Sequence, residues 1–355
     1  RQGRPDEPSE SPTFDRRQLL ARAAGIFAAG SVAQACGITD PSVRASRPID
    51  AVGPTDTQLT VPTARPVTRV TEPQMTGPET TGLGPITGGA EVGATADRLE
   101  VPTPRGAYDR EALYIALYGP PNSTSLGSLG EQSPEAGAQR AFAQASHYEG
   151  FGRRVVPTFE IIASVAAANA GADGDYSNEF SLTKFQPHLE VAAANDMHVV
   201  CDLQPGRSSF PDQAREYEGL WLVPHVSIAL DPEWRIKPWQ TPIDRIGTVD
   251  GTEINETIDY IDELIRRHDL PPKMCVVHQF TPSMITNKQL IRGTENVQVL
   301  IQMDGFGSLT LKRGSWGRVV ADLPAGAFTG WKNFYDEDRP TPTAAETMAN
   351  DPAPR

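Results

Sequence analysis

The sequence predicts an α/β fold, a (β/α)8 TIM-like barrel preceded by a disordered linker. Three observations lead there. Seven near-continuous apolar runs follow Tyr108, helical patterns separate most of them, and a long stretch with no aromatic side chain comes before them. Parallel strands covered on both faces read as unbroken apolar runs, and alternation with amphipathic helices is the signature of an α/β sheet. Seven visible strands in about 230 residues, with one more expected, suit a barrel in size. A doubly wound open sheet is the runner-up, without its nucleotide-binding versions, because no GxGxxG or GxxxxGK[ST] follows a strand.

Residues 1–36 read as an export signal. FDRRQLLARAAGIFAAGSVAQACG begins with the pair Arg16-Arg17, continues through an apolar stretch from Ala23 to Ala35, and ends in Ala-Gln-Ala before Cys36. A basic start, a short apolar middle and small residues at a cleavage site are the three parts of such a signal. The paired arginines resemble a twin-arginine leader. The middle is too short to span a bilayer. Cys36 resembles a lipoprotein site, although Ala33 stands where leucine is usual and Ala33-Gln34-Ala35 equally suits ordinary cleavage. Membrane contact is therefore expected only through a lipid on Cys36.

Residues 37–107 read as the linker. Between Pro41 and Gly106 there are ten prolines, twelve threonines, eight glycines and no aromatic residue. Such a segment cannot bury enough apolar surface to offset the entropy of ordering it.

Residues 108–340 carry the predicted barrel, with a tail over 341–355. The strand-like runs are ALYIALY (112–118), RRVVPTFEIIASV (153–165), MHVVCDL (197–203), HVSIALD (225–231), KMCVVHQF (273–280), VQVLIQMD (297–304) and AFTGWKNF (327–334). Helical patterns cover 134–150, 181–197 and 252–272. In the last, Ile254, Ile258, Ile261 and Ile265 share a face and Pro271-Pro272 stop the helix.

With 355 residues, a formal charge of −13 and a pI near 5.0, the chain is not expected to bind nucleic acid or an anionic lipid surface through a basic face. Three cysteines are too few for a disulfide scaffold. Cys201 and Cys275 read as small buried hydrophobes, and export would also permit a bridge between them.

The chemistry is read from the strand ends, which form the mouth of a parallel barrel. Glu160, Asp202, Asp231 with Glu233, His278 with Gln279, Gln302 with Asp304, and Trp331 with Lys332 close successive runs. One such acid is often only a helix cap or a salt bridge, but recurrence over five or six strands points to a site. Asp231 and Glu233, two apart, should face one way if the strand persists. Paired acids among aromatic side chains suit cleavage of a glycosidic bond. The expected catalytic set is Glu233 as proton donor with Asp231, Asp202 and Glu160. Trp234, Trp239 and Trp331 offer flat faces to sugars, and His278, Gln279, Gln302, Asp304 and Lys332 offer polar contacts. No cofactor and no metal site are expected, since the six histidines show no HExxH or HxH spacing. Asp173, Asp175 and Ser177 copy the start of a calcium loop, but Asn178 and Lys184 replace its glycine and closing glutamate, so a polar turn is expected. No GxSxG marks a serine hydrolase.

The motifs LGEQ, TFEIIASVA, DGDYS, VVCDLQPGR, ALDPEW, VVHQF, IQMDGFG and GWKNFYDED, spread from about Tyr114 to Asp338, resemble a family of exported proteins and lipoproteins of high-GC Gram-positive bacteria. That family is similar in outline to TIM-barrel glycoside hydrolases. The resemblance implies an exported barrel and carries over no catalytic residue. The expected ligand is a carbohydrate or cell-wall polymer, bound either as a hydrolase substrate or without turnover. A metal-dependent phosphodiesterase-like barrel is the third reading.

Overall fold

The computed structural model describes residues 108–242 and 245–355. The expectations for the export signal, Cys36 and the linker lie outside the described residues. Seven strands form one sheet: β1 (Leu113–Gly119), β2 (Val155–Ile162), β3 (His198–Leu203), β4 (Val226–Leu230), β5 (Lys273–Gln279), β6 (Val297–Met303) and β7 (Phe328–Trp331). Each is one of the seven apolar runs. All are parallel and stand side by side in chain order. A doubly wound sheet needs a point where the order reverses, and this sheet has none.

The sheet is strongly curled. Lys332, one residue past β7, places Nζ 3.3 Å from the ring centroid of Tyr118 on β1. Six strand steps separate β1 from β7, which would be about 29 Å in a flat sheet, beyond the reach of two side chains. The result is a parallel half-barrel of seven strands among the described residues.

Helices cover its outside. They include α1 (Pro134–Ser146), α2 (Gln186–Ala194), α3 (Phe210–Glu216), α4 (Gly251–His268), α5 (Leu309–Val320) and α6 (Ala344–Met348), with a single further turn at Glu218–Trp221. Local chemistry starts them: Ser133, Ser209, Asp250 and Ser308 each accept a backbone N–H of the first turn of α1, α3, α4 and α5. Along α4 the four isoleucines are all buried, and the helix ends at Asp269 in the left-handed region (φ 51°) before the proline pair. Burial of each such side chain contributes about 1.5–3 kcal/mol.

Alternation divides the core in two. Val200, Ala229, Met274, Val276 and Leu300 fill the concave side, with Tyr108, Tyr114 and Phe328 packed on them. Phe159, Leu203, Ile228, Val277 and Ile301 face the helices, where they meet Leu189, Trp221, Ile258 and Trp316. Cys201 and Cys275 are on this outer side, buried and unbridged. Both register with Ile228, so one strand lies between them and their Cα atoms are about 9–10 Å apart. A disulfide spans less than about 7 Å, so they act as small core residues.

Residues 341–355 are not a free tail. Thr343 and Glu346 form a reciprocal cap on α6. Trp316 Nε1 donates to the Asp351 carbonyl at 3.1 Å, and the Arg355 N–H donates to the Thr329 carbonyl of β7 at 2.7 Å. The chain therefore returns along the outermost strand. Among the described residues, no helix is long and apolar enough to cross a membrane.

Candidate active site

The polar strand ends converge because of register. Tyr118 on β1 aligns with Glu160 on β2, and His278 on β5 aligns with Gln302 on β6. Asp202 belongs to β3, while Asp231, Asp304 and Lys332 follow the last residues of β4, β6 and β7. Curling the sheet turns these positions towards one another. Strands β2 and β5 are three steps apart, yet His278 Nε2 donates to Glu160 Oε1 at 2.8 Å. The Tyr118 hydroxyl donates to Asp202 Oδ2 at 3.0 Å, and His278 Nδ1 is 3.8 Å from both Asp231 Oδ2 and Asp304 Oδ2. Asp202, Asp231 and His278 each bring an atom within 4.8 Å of the others, as do Asp231, Glu233 and Asp304. All five of these acids and His278 are buried.

Glu233 arrives by a different route from the expected one. The strand stops at Leu230, and Pro232–Trp234 form a turn of 3-10 helix. Asp231 Oδ1 accepts the Glu233 N–H at 3.0 Å, closing that turn, and the Glu233 carbonyl accepts the Gly247 N–H at 2.6 Å. Turn geometry, not strand alternation, brings the two carboxylates together.

Electrostatics sorts the acids. Burial pushes the Asp202 carboxyl up to about 7; the His278 charge opposes this, while Asp231 and Glu160 add to it. Burial also acts to raise Glu160, but the hydrogen bond and charge of His278, then Lys332 and Gln302, outweigh it and hold that carboxyl below its ordinary range. Burial alone would lower His278; Asp202, Asp231 and Glu160 together raise it well above the usual imidazole range. Tyr118 is kept a phenol by burial and the same acids. Two buried carboxyls of one cluster are thus shifted in opposite directions.

Lys332 is fixed from behind. Lys312 Nζ on α5 donates to the Lys332 carbonyl at 2.7 Å and to Asp338 Oδ2 at 2.6 Å. Asp338 also accepts the N–H groups of Gly307 and Phe334, at 2.8 and 2.9 Å. The Lys312–Asp338 pair is fully buried. It sets the loop that points the Lys332 ammonium over Tyr118.

Of the residues singled out from the sequence, Glu160, Asp202, Asp231, Glu233, His278, Gln302, Asp304 and Lys332 gather here. Gln279 and Trp331 alternate to the other face. Gln279 Nε2 donates to the Thr281 carbonyl, and the Trp331 ring lies 5.6 Å from that of Trp316 on α5. Trp234 is buried in the turn after Asp231, and Trp239 is 79 % exposed. The calcium-like stretch is a polar turn, in which Asp173 and Asp175 carboxylates accept the N–H groups of Asp175 and Ser177. It presses on the loop after β3. Gly206 adopts φ +59°, and a Cβ there would lie 2.2 Å from the Asp175 carbonyl oxygen. Tyr118 was missed: it also closes an apolar run, and the strand-end rule applied to aromatics would have found it.

No protein-family model matches the chain, and no curated protein matches it.

Proposed function

We propose that this chain is a glycoside hydrolase in which Asp202 donates the proton and Glu160 serves as the ionised base or nucleophile. The observation that supports it is the opposite shift of two buried carboxyls in one cluster. Among the described residues the Asp202 carboxyl bonds only a phenol, through one oxygen, and burial raises it to about 7, whereas Glu160 is clamped by His278, Gln302 and Lys332. An acid and an ionised partner side by side are what glycosidic cleavage needs. Asp202, with its carboxyl raised to about 7, takes the donor role that the sequence assigned to Glu233. On this reading, the half-barrel is the mouth of a (β/α)8 cylinder.

The test uses the full chain with disaccharides and with nitrophenyl glycosides of the same sugars. Asp202→Asn is expected to lower kcat/KM on the disaccharides by about 10²–10⁴. The loss should be smaller on nitrophenyl glycosides, whose leaving group needs no proton. The wild-type rate should fall above about pH 7, as Asp202 loses its proton, and at low pH, as Glu160 gains one. Cleavage of neither class, or equal losses on both, would reject the assignment.

We also infer export with a lipid on Cys36. The leader pattern and the resemblance to exported lipoproteins support it. Expressed in a high-GC Gram-positive host, the wild type should partition into detergent and Cys36→Ser into the aqueous phase. Aqueous partition of both would dismiss the anchor.

A further inference from the structure

We propose that helix α2 is an acid-sensitive element of this fold, docked while His188 and His225 are neutral and released when they gain protons. The proposal is independent of the hydrolase reading, since neither histidine belongs to the candidate site.

Other forces hold α2 weakly. Its nine residues bury Leu189, Ala192 and Ala193 as an apolar face, where α4 buries four isoleucines and a leucine. Alanine methyls cover little area, so the hydrophobic contribution is small. Of α1–α6 it alone lacks a side-chain N-cap. Phe185 stands in the position that Ser133, Ser209, Asp250, Ser308 and Thr343 fill elsewhere. A helix this short is not stable by itself. Its place therefore depends on its contacts with β2, β3 and α1.

The fourth buried residue of α2 is His188. It is 2 % exposed and meets the Phe159 ring of β2 edge-on at 5.6 Å. Neither ring nitrogen makes a hydrogen bond among the described residues. His225, one residue before β4, is fully buried and reaches the same helix. Its Nε2 donates to the Leu189 carbonyl at 3.3 Å, and its Nδ1 makes no hydrogen bond among the described residues. A second N–H on either ring would bring a charge and a donor with no acceptor, which burial penalises.

Burial accordingly lowers both groups to about 4. Among the described residues, two charged groups act on these rings. Glu135 at the start of α1 favours protonation of His188, but it is exposed, as is Glu190 on α2 itself. Lys273 at the start of β5 opposes protonation of His225. Both histidines lie below their ordinary value of about 6.5, so the docked helix binds fewer protons than the released one. The stability of docking is whole above that value and is lost as the pH falls towards 4. In the chain α2 joins β2 to β3, which carry Glu160 and Asp202, so its release removes a support from two acids of the site.

Hydrogen–deuterium exchange of the full chain at pH 7, 6 and 5, with rates divided by the intrinsic rate at each pH, tests this. From pH 7 to pH 5, protection over 186–194 is expected to fall about tenfold or more for each histidine, and that over α4 by less than about threefold. His188→Leu, which removes the titrating ring and suits an apolar pocket, should recover about tenfold of the loss. If that variant fails to fold, His188→Gln takes its place, and the comparison of α2 with α4 in the wild type decides in any case. No loss over α2, an equal loss over α4, or the same loss in the variant overturns the switch. Exchange is read without substrate, so the outcome does not depend on whether the chain cleaves glycans.

Discussion

Asp202→Asn is expected to be more stable than the wild type at pH 8, and close to it at pH 4. Asp202 has its carboxyl raised to about 7 in the folded state, against about 3.9 in an unfolded chain. A raised value means that the folded protein holds this proton more tightly. The stability so gained is complete below the unfolded value and is lost as the pH climbs through the folded one. The loss amounts to about 1.4 kcal/mol per pH unit between roughly 4 and 7, then levels off. Asparagine carries no charge to desolvate, and its carbonyl oxygen can still accept the Tyr118 hydroxyl. The gap between variant and wild type should therefore widen over that window, by up to about 4 kcal/mol. Urea denaturation at pH 4, 5, 6, 7 and 8 measures it. A gap that does not change with pH would show that Asp202 is not held in this way.

The second large effect is expected at the clasp behind Lys332. Lys312→Met keeps most of the side-chain volume and removes the ammonium, leaving the Asp338 carboxylate buried with two backbone donors among the described residues. Breaking one side of a buried pair costs about 3–5 kcal/mol, because the remaining charge is not compensated. Adding Asp338→Asn should return much of that loss, and this non-additivity separates charge from packing. The Lys332 carbonyl also loses its donor, so the loop that carries the site lysine should loosen in the single variant. Denaturant titration of wild type, both singles and the double gives the coupling. A loss under about 1 kcal/mol in Lys312→Met would mean that the pair is solvated.

Much of this architecture was legible in the sequence because parallel strands buried on both faces need unbroken apolar runs. All seven strands were visible as such runs, and the isoleucine face of α4 lay where its spacing put it. The acids at the strand ends were legible for the same reason, since a carboxylate that closes an apolar run has few places to go. Facing was harder to read. His278 and Gln279, or Trp331 and Lys332, are neighbours, and a two-residue period lets only one of each pair look into the hollow. Applied strictly, that period would have removed Gln279 and Trp331 from the site. The protonation of Asp202 and Glu160 was not legible, because it depends on which side chains arrive from strands distant in sequence. Residues 341–355 were read only as a tail, although Thr343 and Glu346, three apart, signal a helix start.

The segment that returns along β7 has a bearing on self-association. The outermost strand of an open sheet presents unpaired amides and carbonyls that a second copy can extend, which is how ordered aggregates begin. Here Thr329 spends its carbonyl on Arg355, and the Arg355 guanidinium covers the ring of Phe328 at 4.2 Å. Among the described residues, the last strand of the half-barrel is thus screened by the protein's own chain, and an incoming neighbour would have to peel that cover away before it could add to the sheet.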